Sequence, residues 1–219
     1  QGMSPEVTEH ADAGARAGKF FLSSTQRVFD GVVKLLIVQH HRSRALFPDE
    51  RNPRHNGLER CLSPDAIKGS KYGYCSDCEH AEWNGGDPPV CSLSHNFIVA
   101  TEDGPAILRF NRTSLKAGKD FISACKFSIP PKPLWAHPTV LRSVAATSKI
   151  NGKDVTYYKM SIAWDRSQPT DESLQVMAKA LYSQVHAAFN AGKLASVEET
   201  VIDPPAPKQK RVHEDEIPF

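Results

Sequence analysis

The chain has 219 residues, 40% of them hydrophobic, and a formal charge of +2. That length suits one generous domain or one domain with appendages, and the apolar content supplies a core once a polar tail is set aside. The longest apolar run, GVVKLLIV, carries a lysine and is far too short for a bilayer, and no charged-then-apolar leader opens the chain. Neither export nor membrane insertion is expected, and a cytoplasmic setting is.

Gln1 and Gly2, ahead of Met3, read as a cleavage scar, and residues 1–18 as a flexible leader. From Lys19 to Phe47 the chain turns rich in Phe, Val, Leu and Ile. VVKLLIVQHH predicts a strand buried on both faces, with a helix as the alternative for so short a run. His40 and His41, adjacent on a strand, point to opposite faces, so a structural or surface role is expected of them. PDERNPRHNG is loop.

Residues 61–91 carry four of the five cysteines in a Gly- and Pro-rich stretch without periodicity, which cannot build a core by itself. Cys75 and Cys78 are separated by two residues, a spacing that lets two thiolates from one tight turn reach one metal ion. With Cys61 and Cys91 they would complete a tetrahedral, structural Zn2+ site, and His80 or His95 is the alternative to the distant Cys61. Disulfides fit neither a reducing compartment nor an odd cysteine count. A redox pair would need a βαβ setting that YGYCSDCEHAEW lacks. The HAE triplet at His80–Glu82 follows its Cys-x-x-Cys pair, the reverse of the zinc-deaminase order, so that chemistry is excluded. No phosphate loop, nucleophile elbow or kinase signature occurs, and no catalysis is expected.

NFIVAT, a turn at EDGP and AILRFN follow as strand-like pieces, then DFISACKFSI, which would place Cys125 in the core of a strand. TVLRSVAATSKI and KDVTYYKMSIAW flank Asn151-Gly152, a strong hairpin signal. In the second of these, Thr156, Tyr158, Met160, Ile162 and Trp164 share the expected core face. Val155, Tyr157, Lys159, Ser161 and Ala163 share a wetter one. A helix is predicted from about Asp171 to Asn190, capped by Thr170 or Asp171 and stopped by Gly192. Its stripe is Leu174, Met177, Leu181, Val185 and Phe189. From about residue 195 the composition collapses into Glu, Pro, Lys and Asp, and a disordered tail over 195–219 is expected. Periodicity thus reaches a β-rich fold, barrel or open sandwich, with one late packed helix.

The tip of the tail, EDEIPF, resembles the C-terminal peptide of bacterial single-stranded DNA-binding proteins, an acidic run closed by Ile-Pro-Phe. The likeness covers six residues. The body does not follow the bacterial pattern, and the whole more closely resembles phage or mobile-element members of that class, some of which insert a zinc module into a barrel. The resemblance implies an OB-fold-like barrel over 19–194 with a zinc module at 61–91 and a packed C-terminal-side helix. It also implies a cytoplasmic role in the bacterial host cell, in DNA replication, recombination or repair. Asp215 and Glu216 would steer the tip to a cationic rim, where Ile217, Pro218 and Phe219 fill an apolar pocket on a replication or recombination enzyme.

Holding single strands requires cations along the phosphates and flat side chains under the bases. Without Glu214, Asp215 and Glu216 the formal charge rises from +2 to +5, so a mildly basic body carries an acidic end. Basic residues recur from Arg109 to Lys159, among them Lys119, Lys126, Arg142 and Lys149. The candidates for nucleic acid are Arg109, Arg112, Lys116, Lys153 and Lys159, with Tyr157 and Trp135 as stacking rings. Phe110, Tyr158 and Trp164 are assigned to the core, and Trp83 to a roof over the cysteine loop. The competing function is a zinc-stabilised adaptor that borrows the tip without touching DNA. A metal-dependent nuclease or annealing recombinase ranks third for want of clustered carboxylates. Oligomeric state stays open.

Overall fold

The computed structural model describes residues 16–22, 24–49, 52–127, 132–150, 152–165 and 171–191. Most of the expected leader, the helix signals Thr170 and Gly192, and the tail with its tip lie outside the described residues. A short hairpin, β1 (Phe20–Leu22) and β2 (Arg27–Phe29), leads into β3 (Val32–Leu46). In β3, Leu35 and Ile37 enter one apolar cluster while Leu36 and Val38 enter another. Successive side chains alternate faces, so a continuous apolar run is what a strand covered on both sides needs.

A register shift between Ile37 and Gln39 marks a bulge in β3. Such an insertion bends the strand and increases its twist. The segment before it pairs with β9 (Thr139–Ile150), and the longer segment after it pairs with β7 (Ser92–Thr101). β8 (Gly104–Asn111) returns beside β7, and β10 (Lys153–Trp164) beside β9. The main sheet is therefore ordered β10-β9-β3-β7-β8, antiparallel throughout, with β4 (Cys61–Ser63) added on the far end of β3. β5 (Lys68–Gly69) and β6 (Gly73–Tyr74) form a small hairpin inside the cysteine segment.

β8 and β10 do not pair with one another among the described residues, so the barrel expected from the resemblance is not closed. A helix fills that seam instead. α1 (Leu115–Lys126) packs against both β8 and β10 and buries Gly118, Phe121, Ile122 and Cys125. This corrects the strand expected over DFISACKFSI. Three of those buried positions are small or aromatic and the exposed ones are Lys, Asp, Ala and Ser, a set that a helix accommodates as readily as a strand. Cys125 is buried as expected, but on a helix.

Between the sheet and α1 lie Val33, Leu35, Ile37, Phe97, Val99, Phe110 and Leu141. Phe97 and Phe110 meet edge to face at 5.3 Å. On the opposite face, α2 (Glu172–Asn190) lays Leu174, Met177, Ala178, Leu181 and Val185 over Leu36, Val38, Ile98 and Ala100. Asp171 caps it, accepting from the backbone N–H groups of Ser173 and Leu174, which fill two of the four orphan donors at a helix start. The stripe ends earlier than predicted, for Phe189 is exposed.

The expected core face of β10 holds only from Met160 onward, where Met160, Ile162 and Trp164 pack on the core. Tyr158 is 48% exposed and Thr156 is exposed. The reason lies in the register. β9 pairs with β3 only through Thr139–Arg142, so the remaining β9–β10 hairpin projects as a two-stranded arm with no third strand to bury a face.

Candidate functional site

Three features project from this scaffold: the cysteine segment, the β9–β10 arm, and the polar end of the β3–β7–β8 sheet. The cysteine segment is the connection between β3 and β7, and β4 anchors it to β3 at Leu46↔Cys61. Cys61, Cys75, Cys78 and Cys91 all line one cavity of about 10 Å3, together with Arg44, Gly69, Tyr72 and His80. That is room for about one atom-sized occupant. All five cysteines of the chain are free thiols. Among the described residues, no group of three or more His, Cys, Asp or Glu stands at metal-ligating geometry.

Backbone hydrogen bonds fix the segment around that cavity. The N–H of Cys75 donates to the Ile67 carbonyl at 2.8 Å, and that of Cys91 to the His80 carbonyl at 2.9 Å. The Cys78 carbonyl accepts from Ala81 N–H at 2.9 Å. A Cβ at Gly69 would stand 2.7 Å from the Cys61 sulfur, which would then have to shift. Arg44, from β3, lines the cavity with Cys91 and donates to the Ala81 carbonyl at 3.2 Å. Burial pushes the Cys91 thiol up to about 11; Cys75 and Cys61 push the same way, while Arg44 pulls it down. Four soft sulfurs that repel one another as anions are a donor set suited to a thiophilic dication. His80 lines the same cavity, its ring edge-on to Tyr72 at 4.6 Å. His95 does not line it and pairs with His40.

The residues expected to touch nucleic acid fall into separate places. Lys153, Tyr157 and Lys159 alternate onto one face of the arm. Arg112 opens the turn before α1, in the left-handed region at φ 45°, which is uncommon for a side chain of this kind. Two residues on, the Ser114 hydroxyl accepts from the Met160 N–H at 3.1 Å and ties that turn to the arm. Lys116 pairs with Asp120 at 2.6 Å on the exposed side of α1. Arg109 stands elsewhere, on β8, where its Nε donates to Asn96 Oδ1 at 3.0 Å. Asn96, wholly buried, donates in turn to the Ser43 hydroxyl at 2.8 Å. One polar chain thus crosses three strands. Ile107, 55% exposed, lies two positions along β8 on the face of Arg109.

Trp135 packs against the cluster under α2, with the Lys179 ammonium 5.4 Å from its ring centre. Trp83 is 70% exposed on the cysteine segment. Phe110 is completely buried, and Trp164 packs on the same core. A part-buried imidazole pair was missed: His40 and His95 are 55 residues apart and meet only through the β3–β7 register. No helix among the described residues is long and apolar enough to cross a membrane.

The chain matches the family model of the Pam3 phage gp34-like protein over residues 1–189. It belongs to the Pam3 phage gp34-like family. The match takes in the sheet, the cysteine segment and nearly all of α2, and it stops short of the tail with its EDEIPF tip. No curated protein and no solved structure matches the chain.

Proposed function

We propose that this phage-family protein binds single-stranded DNA without catalysing its chemistry, and hands the coated strand to replication or recombination enzymes through its tip. The observation that carries the reading is the strand order. Numbered along the chain, β3, β7, β8, β9 and β10 are strands 1 to 5 and lie across the sheet as 5-4-1-2-3, with a helix between the third and fourth strands. This five-stranded order supports reading the sheet as an OB-fold, a partly open barrel that binds oligonucleotides on its strand 2–3 face and on the loops joining strands 1 to 2 and 4 to 5. Here those loops are the cysteine segment and the arm bearing Lys153, Tyr157 and Lys159. The strand 2–3 face carries Arg109, Asn96 and Ile107.

In this reading Zn2+ bound by Cys61, Cys75, Cys78 and Cys91 stiffens the first loop, which otherwise has only the small cluster of Leu46, Leu58, Tyr72 and Val90 around its cysteines. Bases stack on Tyr157, and Arg109, Arg112, Lys153 and Lys159 track phosphates. The tip, from Asp215 to Phe219, stays available for an enzyme pocket. Fluorescence titration of the whole chain with oligothymidine tests this. Sequence-tolerant binding that weakens steeply with salt is expected, because each neutralised phosphate releases about 0.7 counterions on a single strand. Absence of binding in dilute buffer overturns it in favour of a tip-bearing adaptor.

A further inference from the structure

On the α1 side of the sheet, beyond the apolar core, the structure assembles a group of charges that the proposed interface does not use. His40 on β3 and His95 on β7 face one another with Nε2 and Nδ1 2.8 Å apart and rings stacked at 5.0 Å. His95 is buried and stands opposite Arg42 in the β3–β7 ladder. α1 closes over them. Gly118 allows this, since a Cβ there would stand 3.0 Å from Phe110 Cβ and 3.4 Å from His95 Cβ. Lys119 and Lys126, seven residues apart on α1, therefore sit on one helical face beside the pair.

The charges acting on His40 are His95, His41, Lys126 and Arg42, and those acting on His95 are Arg42 and Lys119. All are cationic or imidazole; no carboxylate is among them. Asp120, the one acid on α1, pairs with Lys116 on the outer side. No salt bridge among the described residues engages Arg42, Lys119 or Lys126. Arg42, Lys119 and Lys126 are exposed around two imidazoles with no salt bridge among the described residues, and an anion bound there would offset the excess positive charge. The two rings present one shared proton between facing nitrogens, so either ring can turn a donor outward once a negative group arrives.

We propose that His40, Arg42, His95, Lys119 and Lys126 form a phosphate-binding site at the junction of β3, β7 and α1. It deepens the nucleic-acid reading and rests on it only for the source of the phosphate, which is either a strand backbone or a free phosphate group. The site lies on the α1 side of the sheet, so a strand that uses it wraps around the end of α1 instead of ending at the arm.

The test is NMR of the histidine rings in the full chain, titrated with orthophosphate at constant ionic strength against chloride, and separately with oligothymidine. The proposal expects saturable movement of the His40 and His95 signals with orthophosphate and none with chloride. In Lys119→Gln and Lys126→Gln, surface changes that leave the fold intact, phosphate affinity should fall roughly tenfold, as expected for loss of one charged hydrogen bond. Oligothymidine moving the same signals identifies a backbone phosphate as the source; movement with orthophosphate alone identifies a free one. Rings that move with phosphate while oligothymidine fails to bind leave this site standing and remove the DNA reading. Oligothymidine binding with both rings unmoved by either titrant overturns the site alone.

Discussion

His40 shows how much a single position owes to its neighbours. Burial first, then His95, His41, Lys126 and Arg42, hold its imidazole at about 4, below the ordinary 6.5. The unfolded chain therefore takes up a proton between pH 6.5 and 4 that the folded chain refuses, and stability present above 6.5 is lost as pH falls through that window. Thermal melts should show a lower Tm at pH 5 than at pH 7.5, and the difference should shrink in His40→Gln; an unchanged difference would assign the loss to other groups. Gly118 makes a second case. Its Cβ would press on Phe110, which is wholly buried and does not yield. Gly118→Ala gains helix propensity of about 1 kcal/mol but forces α1 off the sheet at an overpacking cost of about 1–3 kcal/mol. Net destabilisation is expected in urea unfolding, and a stabilised variant would mean that α1 slides freely.

At the scale of elements, the cysteine segment and the arm have opposite designs. The segment has scarcely any regular structure, and its cysteines, drawn from β4, the loop after β6, and the stretch before β7, line one small cavity. If Zn2+ fills it, an excess of chelator should remove one metal ion per chain. Chelation should then lower the melting temperature and expose the segment to proteolysis near Trp83. Cys75→Ser should reproduce both effects, and a chain purified free of metal with unchanged protease resistance would refute the site. The arm is held instead by the two-strand ladder from 143 to 160 and by the Ser114–Met160 bond. Tyr157→Ala removes a ring from an unsupported ladder, so folding should be little affected, while oligothymidine affinity should fall by about 1–3 kcal/mol. Unaltered affinity would take the arm out of the interface.

Across the whole molecule, α2 and α1 cover opposite faces of one sheet, and that arrangement decides which candidates can act together. α2 occupies the middle of the face that carries Lys153, Tyr157 and Lys159 at one side and Arg109 at the other. A bound strand must pass around it, so the contacts divide into two groups with separable effects. Arg109→Ala and Lys159→Ala should each lower the salt slope of oligothymidine binding by about 0.7, and the double change by about twice that. A double variant no weaker than either single one would mean that only one side of α2 touches the strand.

Much of this could be read from one dimension because it depends on periodicity along the chain. The two-faced run of β3, the β7–β8 and β9–β10 hairpins, and the Asp171-capped helix all follow from which neighbours in sequence are apolar. The grouping of four cysteines in one segment was legible too, and the structure lines one cavity with them. Order in the sheet was not legible. It turns on how β3 divides its length between β9 and β7, and on a helix that fills the seam a closed barrel would have sealed. The fate of Tyr158 was decided by how far β3 accompanies β9, and the meeting of His40 with His95 by a register spanning 55 residues. Local pattern dictates which face of an element seeks burial, whereas long-range pairing dictates what is waiting on the other side.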